Sequence, residues 1–257
     1  MPARRRSTHP PSAGAALLTV RPDSSSSPRL PAPGDSVDAA LLDFHSEVTG
    51  CRLCPSISPW RKFPLGRRGT ARYRLMVLGE APGRVSLENG RPFSNPRNLT
   101  VRNAFARAVA PLTLAPEELL YFSDTVKCWP ASPSGANRSP TAAENATCVA
   151  RHLTREIAIV RPDAVFAIGA RAAAAFLGRP VKMLALHGTW LTTPSGLRVL
   201  PLMHPSTINI AGMRNVGIRS LADYEARLAA LFRTELAPIL TLLQQWETTK
   251  RSAQPPK

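Results

Sequence analysis

Long apolar runs are missing from this sequence. No stretch approaches the roughly 20 consecutive apolar residues that a membrane-spanning helix needs. The apolar stretch at residues 15–20 is too short for a secretory signal and lacks a convincing cleavage site. These absences argue against a membrane protein and predict a cytoplasmic chain with no membrane partner.

Cysteine is scarce, and its positions are informative. Four cysteines in 257 residues, without a secretory signal, disfavour a disulfide scaffold and favour reduced thiols that hold a metal. Cys51 and Cys54 form a C-x-x-C pair, which can chelate a metal centre from one turn. Cys128 and Cys148 can supply two further thiolates. Cysteines are often plain buried apolar residues, but one metal site would account for all four. Their spacing leaves zinc and an iron–sulfur cluster open, and the widely separated later pair favours the cluster.

Acidic residues are also few. The chain has 17 Asp and Glu against 33 Lys and Arg, a formal net charge of +16. Such an excess attracts polyanions and predicts a nucleic-acid partner. Arginines well inside the chain indicate that the charge belongs to the folded domain and not only to a tail; they are Arg97, Arg102, Arg107, Arg138, Arg171, Arg179, Arg198, Arg214 and Arg219.

The composition divides the chain into a domain and two tails. Residues 1–37 are rich in Pro, Ser, Arg and Ala without a sustained apolar period, which predicts a disordered basic tail. Residues 38–247 are long enough for one catalytic domain. Residues 248–257 are predicted to form a flexible C-terminal tail. We expect a monomer.

Short apolar runs alternate with helical patterns inside the domain. The runs predict strands at residues 75–78, 120–126, 164–168 and 197–203. Helices are predicted at residues 37–48, 99–109, 141–160, 170–177 and 218–245. This alternation predicts an α/β fold with three α/β/α layers and a central four-stranded parallel sheet.

Ligands of such sheets bind at the carboxyl ends of the strands. Glu80 and its flanking glycines form a tight loop after the first strand, where backbone amides can approach a ligand and a carboxylate can act on it. His204 could offer an imidazole to a base and Ser206 a hydroxyl to a phosphate. Phe93 could stack on a base. Taken singly, Phe93 is more often a core residue and His204 an ordinary loop histidine.

Together and in this order, the motifs resemble one family, the iron–sulfur branch of the uracil-DNA glycosylase superfamily of bacteria and archaea. The resemblance covers residues 45–235, about the whole predicted domain. The blocks that carry it are GEAPG at 79–83, GRPF at 90–93, VKCWP at 126–130, NRSPTAAENATC at 137–148, RPDAVFAIGARAAAAFLG at 161–178 and HPS at 204–206. It implies excision of uracil or a related damaged base from single- or double-stranded DNA by hydrolysis of the N-glycosidic bond, in base excision repair. It also implies a four-iron four-sulfur (4Fe-4S) cluster on Cys51, Cys54, Cys128 and Cys148.

The resemblance also implies roles for the site residues. Glu80 would orient the attacking water or steady the cationic sugar, and Phe93 would stack on the flipped base, with Gly79 and Ala81 beside it. His204 would donate a hydrogen bond to the base carbonyl as negative charge moves onto the departing base. The predicted DNA contacts are Ser206 and Arg214.

Position 124 departs from the family pattern. The family has an asparagine there, which reads the base edge through its amide, whereas this chain has Asp124. One alternative is therefore a non-catalytic or altered-specificity member that binds nucleic acid through the same fold and cluster. A zinc-stabilised hydrolase of free nucleotides is disfavoured by the arginine excess and by the lack of a phosphate-binding glycine loop. Ile208 and Ile210 could fill the gap left by a flipped nucleotide or simply be buried.

Overall fold

The computed structural model of the chain describes residues 36–57, 75–95, 99–206 and 211–252, with the side chains of residues 36–38 and 246–252 excepted. Most of the predicted N-terminal tail and half of the predicted C-terminal tail, residues 253–257, lie outside these ranges. So do Ile208 and Ile210, whose suggested wedge role stays a prediction. Within the described part, no helix combines the length and the apolar character needed to cross a membrane.

A five-stranded sheet forms the centre of the fold. Its strands are β1 Leu75–Gly79, β2 Tyr121–Asp124, β3 Ala164–Ile168, β4 Leu191–Thr192 and β5 Arg198–Leu202. They lie in the order β2-β1-β3-β5-β4. The neighbouring pairs β1–β2, β1–β3 and β3–β5 are parallel, and β4 is antiparallel to β5.

The α/β class is confirmed and the four predicted strands are present and parallel, but the sheet has a fifth, antiparallel strand and is not four-stranded as predicted. The missed strand β4 has two residues, too few to show an alternating pattern. It joins β5 through a tight turn in which Thr193 and Leu197 are linked by a backbone hydrogen bond of 2.9 Å.

The described helices are close to those expected from the longer apolar patterns. Their bounds are α1 Ser36–Gly50, α2 Arg84–Glu88, α3 Thr100–Val109, α4 Pro116–Leu119, α5 Ala142–Cys148, α6 Thr154–Val160, α7 Ala170–Leu177, α8 Met183–Leu186 and α9 Leu221–Ser252. A π-helix, Val149–Leu153, joins α5 to α6, so the helix predicted at 141–160 is interrupted. The last helix begins three residues later than predicted and runs on to Ser252. The short helices α2, α4 and α8 span too few residues to give a periodic signal.

Helices cover both faces of the sheet. Alternate strand residues point to opposite faces, as a period of two requires. Val77 and Phe166 pack on one face with buried residues of α3 and α9. Met76 and Val165 pack on the other with residues of α1, α6 and α7. The core thus fixes the strands rigidly and leaves their carboxyl ends available for a site.

Candidate functional site

The carboxyl ends of β1 and β2 bring three predicted site residues together. Gly79 and Asp124 are register partners on these two strands. A Cβ atom added to Gly79 would lie 2.3 Å from Asp124 Oδ1 and 3.2 Å from Phe93 Cζ. Any larger residue at position 79 would displace the carboxylate, so glycine is required for this close approach.

The loop that carries Phe93 has an unusual backbone. Phe93 adopts a φ of 52°, in the left-handed region that a non-glycine residue rarely occupies. Its half-buried ring lies 5.7 Å from that of Phe122. The Arg102 guanidinium anchors the loop by donating two hydrogen bonds, of 3.1 and 2.7 Å, to the Pro92 carbonyl. Strain of this kind persists only where the surroundings enforce it, and it clusters at ligand sites.

Arg102 is itself held by a buried carboxylate. It donates to Glu117 Oε1 at 2.5 Å, and Arg91 lies 3.7 Å from the same oxygen. Although burial opposes ionisation, the hydrogen bond with Arg102 lowers the pKa of Glu117. The loop of Phe93 is therefore tied through charged groups to α3 and α4.

Glu80, the first residue after β1, faces a cation. Its Oε1 atom lies 3.4 Å from Arg171 Nε, at the start of α7. Arg171 also donates to the Pro140 carbonyl, so its guanidinium is fixed from two sides. The Glu80 main chain is held as well, since its carbonyl accepts from the Thr125 hydroxyl at 2.6 Å and from the Val126 amide at 3.0 Å. Glu80 is thus oriented at both its backbone and its carboxylate.

His204 completes this end of the sheet, two residues beyond β5. Its Cβ lies 3.9 Å from the position that a Cβ on Gly169, at the end of β3, would occupy. Burial lowers the pKa of His204, and the charge of Glu80 opposes that shift. Burial therefore favours the neutral form of the imidazole. The ring is close enough to Glu80 for the two charges to interact.

The remaining predicted site residues in the described part of the chain are Ala81, Ser206 and Arg214. The Ala81 methyl packs against a small apolar cluster, as do Cys54 and Cys128; the cluster consists of Ile57, Val126 and Cys148. A contribution of Ala81 to base binding would therefore come from its backbone. The Ser206 amide donates to the His204 carbonyl at 2.8 Å. Arg214 is exposed on the 3₁₀ turn Arg214–Val216.

Asn137 is a structural link that sequence reasoning missed. Its Oδ1 atom accepts from Trp129 Nε1 at 2.7 Å and from the Arg84 amide at 3.0 Å. The side chain therefore connects the loop after Glu80 to the segment after β2. Asn137 stands in a family-like block, but nothing in its local pattern identifies its two donors, which are 53 and 8 residues away.

A second region next to this centre holds all four cysteines. Cys51, Cys54, Cys128 and Cys148 line one cavity. Burial raises the pKa of Cys128 to about 12 and that of Cys148 to about 11, and charge repulsion among the thiols acts in the same direction. The Lys127 amide donates to Cys148 Sγ at 3.2 Å. The predicted metal ligands are thus brought together from three parts of the chain.

Glu144 holds two of these parts in place. It accepts from Ser56, two residues after Cys54, at 2.5 Å, and from both terminal nitrogens of Arg138 at 2.6 and 2.8 Å. It also forms a capping box with Thr141 at the start of α5, the helix that ends at Cys148. The hydrogen bond from Arg138 leads the causes that lower the pKa of Glu144 to about 2.

A buried ion pair joins the cysteine region to the sheet end. Lys127 and Glu156 have side chains with 0% exposure, and Lys127 Nζ lies 2.5 Å from Glu156 Oε2. The same ammonium donates to Ser123 Oγ at 2.7 Å and to the Asp124 carbonyl at 2.6 Å. The Tyr121 hydroxyl donates to the other Glu156 oxygen at 2.8 Å. Full pairing offsets the large desolvation cost of two buried charges.

Several known proteins that are similar in sequence to this chain are type-4 uracil-DNA glycosylases. The family model described as "Uracil DNA glycosylase superfamily" matches residues 67–230. The type-4 uracil-DNA glycosylase of Thermotoga maritima is 30% identical over 168 residues, which cover 65% of this chain and 82% of that protein. That of Pyrobaculum aerophilum is 29% identical over 147 residues, covering 56% and 69%. That of Saccharolobus solfataricus is 26% identical over 189 residues, covering 70% and 81%.

Proposed function

This chain belongs to the uracil DNA glycosylase superfamily, and from that membership we propose that it removes uracil from DNA by hydrolysing the N-glycosidic bond, the first step of base excision repair. The observation that carries the proposal is the convergence of Phe93, Asp124, Glu80 and His204 at one end of the sheet. An aromatic ring and a polar group can stack on and read a flipped base, and a carboxylate and an imidazole can stabilise the charges that develop as the glycosidic bond breaks.

The flipped base would bind between Phe93 and the end of β2. The Phe93 ring supplies the stacking surface, and the absence of a side chain at Gly79 leaves room beside it. As the glycosidic bond breaks, negative charge moves onto the base. A neutral His204 can stabilise that charge by donating its ring N–H, and a donor of this kind typically contributes about 3 kcal/mol to lowering the barrier.

Glu80 would act on the sugar side of the bond. Its carboxylate can steady the positive charge that develops on the sugar, or orient the water that attacks it. Arg171 is a positioning residue in this proposal, because it holds the carboxylate from one side at 3.4 Å. Sequence reasoning counted Arg171 only as part of the basic surface.

Asp124 favours a second possibility, a glycosylase with altered base preference. Its carboxylate lies against Gly79 and next to Phe93, where the family has an amide. An ionised carboxylate accepts hydrogen bonds but cannot donate them. The uracil edge needs both an acceptor and a donor, so the preferred base of this chain depends on the protonation of one side chain.

The four cysteines fit an iron–sulfur cluster as the resident cofactor. They line one cavity, and Cys148 already accepts a backbone hydrogen bond of the kind that stabilises cluster sulfurs. Among the described residues, no three His, Cys, Asp or Glu side chains are close enough to hold a single metal ion. The wide separation of Cys128 and Cys148 in the sequence favours a cluster over a zinc ion, whose structural sites usually draw on two close pairs. Such a cluster would serve structure and DNA positioning, since the hydrolysis needs no electrons.

DNA would lie across the mouth of this site. Ser206 and the exposed Arg214 are the proposed phosphate contacts, since hydroxyl and guanidinium groups commonly bind the DNA backbone. The net charge of +16 supports attraction to DNA before any specific contact forms.

The test is abasic-site formation on oligonucleotides that contain uracil, followed on a gel after alkaline cleavage. We expect cleavage by the wild type and a loss of about 10²- to 10⁴-fold in rate for Glu80→Gln, the usual contribution of such a group. Glu88→Gln, at an exposed carboxylate in the next helix, is the matched control and should keep the wild-type rate. DNA binding without cleavage of uracil, hypoxanthine, xanthine or cytosine substrates would overturn the proposal and favour a non-catalytic protein.

A further inference from the structure

His152 is a buried imidazole without a visible partner. Only 3% of the residue is exposed. Neither ring nitrogen has a hydrogen-bond partner among the described residues. A buried polar group left unpaired destabilises a fold by about 1–3 kcal/mol. A histidine in this position therefore needs a partner that the described part of the chain does not supply.

The imidazole faces the cysteine cavity. His152 lines this cavity together with Cys51, Cys54, Cys128 and Cys148. On another side, the Phe44 ring packs edge-on against it, with centroids 6.2 Å apart. An apolar ring cannot satisfy the imidazole nitrogens, so the cavity is the direction in which a partner is available.

The backbone supports the same conclusion independently. His152 belongs to the π-helix Val149–Leu153, which directly follows Cys148. The Thr154 amide donates to the Val149 carbonyl five residues earlier, one residue further back than in an α-helix. This wider turn changes which side chains follow Cys148 on the cavity side. Single π turns are frequent at functional sites, and here the turn carries the histidine that has no hydrogen-bond partner among the described residues.

We propose that His152 donates a ring N–H hydrogen bond to a sulfur atom of the iron–sulfur group held by the four cysteines. It is a positioning and tuning residue for that group and takes no part in excision. Either protonation state of the imidazole keeps at least one N–H, so donation does not depend on its charge. The bond would add to the one that the Lys127 amide gives Cys148 Sγ and would help to stabilise negative sulfur in a buried cavity.

The inference rests on the proposed cofactor, and resonance Raman spectra of the full-length protein as purified test it. In the wild type, we expect the iron–sulfur stretching bands to shift on transfer from H₂O to D₂O. His152→Leu should move these bands to higher frequency and remove part of the solvent-isotope shift. His152→Gln, which keeps an N–H donor, should lie between the two. His187→Leu, at a half-buried histidine on the cavity formed with α9, should match the wild type.

Iron release to a chelator gives a second readout. Loss of an outer hydrogen bond commonly weakens metal binding by 10- to 100-fold, so we expect release from His152→Leu to be about tenfold faster and release from His152→Gln to be close to that of the wild type. Iron-loaded variants with wild-type bands, isotope shift and release rate would overturn the inference alone. Wild type purified without iron would overturn both the inference and the cofactor, while the excision assay judges the proposed glycosylase separately. If His152→Leu does not fold, the Raman spectra and the iron release of His152→Gln test the inference instead.

Discussion

At the scale of single residues, Asp124 carries the sharpest chemical question. Uracil offers an acceptor at O4 and a donor at N3–H, and a neutral amide matches both. An ionised Asp124 would accept from N3–H but set its other oxygen against O4. That desolvated, unmade hydrogen bond costs about 1–3 kcal/mol. A carboxyl buried beside an apolar base tends to hold its proton, and the protonated form could donate to O4.

We therefore predict that Asp124→Asn removes uracil about tenfold faster than the wild type, since 1.4 kcal/mol corresponds to one factor of ten. The wild-type rate should rise as the pH falls, and the rate of the asparagine variant should not follow that rise. Single-turnover excision of uracil, hypoxanthine, xanthine and cytosine across pH measures both effects. Asp43→Asn, at an exposed carboxylate on α1, controls for the change in charge. Equal uracil rates for the wild type and Asp124→Asn at every pH would mean that Asp124 does not face the base.

The sequence selected residues that the structure brings together at the candidate site, but few of the residues that hold them. Gly79, Phe93 and Asp124 could be selected because each follows a strand or belongs to a family-like block, and the structure places them in contact. Arg171 and Asn137 also belong to family-like blocks, but membership of a block did not indicate what either side chain contacts. Their roles depend on partners distant in sequence, and an arginine or an asparagine in a polar stretch has no pattern of its own.

At the scale of elements, the start of α5 connects the cysteine region to the rest of the domain. Glu144 combines the capping box of α5, the ion pair with Arg138 and the hydrogen bond from Ser56. Its side chain is only 4% exposed, so solvent screens these contacts little. One carboxylate thus sets the position of the helix and of the C-x-x-C segment together.

Glu144→Gln should lower the free energy of unfolding by about 1.5–3 kcal/mol at pH 7, the usual contribution of a hydrogen bond to a charged group. The folded pKa of about 2 lies below the ordinary value of 4.5. The contribution of Glu144 is therefore complete above pH 4.5 and is lost as the pH falls towards 2. Urea unfolding of both proteins between pH 7 and pH 3 should show the difference narrowing in acid. Glu118→Gln, at an exposed carboxylate on α4, is the comparison, and a difference that stayed constant with pH would contradict this account.

Helices and strands with a strong apolar pattern were predictable from the sequence. The π-helix, which differs from an α-helix only in its hydrogen-bond pattern, was not. The strand Ala164–Ile168 and the helix Ala170–Leu177 match their predicted bounds, because an apolar run and an alanine-rich stretch are separated by Gly169. The π-helix Val149–Leu153 leaves no comparable trace, since it differs from an α-helix only in which carbonyl each amide selects.

At the scale of the whole molecule, charge should govern the encounter with DNA. The net charge of +16 predicts that affinity for DNA falls steeply with salt, because bound phosphates release their counterions. Between 50 and 200 mM salt we expect a fall on the order of 10³-fold, the change typical of about six phosphate contacts. Fluorescence anisotropy with a uracil-free duplex measures the slope. A flat response would remove the electrostatic argument for DNA binding.

Metal content is the second property of the whole molecule that can be predicted. Protein purified without oxygen should be brown and contain iron and acid-labile sulfide, because four thiols converge on one cavity. Elemental analysis and the visible absorption spectrum check this. Replacing Cys128 by Ala should reduce the iron content, whereas replacing the half-buried Thr147 on the same cavity wall by Val should not. One zinc per chain and no iron would contradict the prediction.

The close approach of Gly79 to Asp124 also restricts how this protein can evolve. A Cβ atom at position 79 would come within 2.3 Å of the Asp124 carboxylate and 3.2 Å of the Phe93 ring, so a side chain there requires both neighbours to move. Asparagine has nearly the same bulk as aspartate, so an exchange at position 124 leaves the space at position 79 unchanged. With the role proposed for Asp124, base preference can change by single substitutions at position 124 while glycine is retained at position 79.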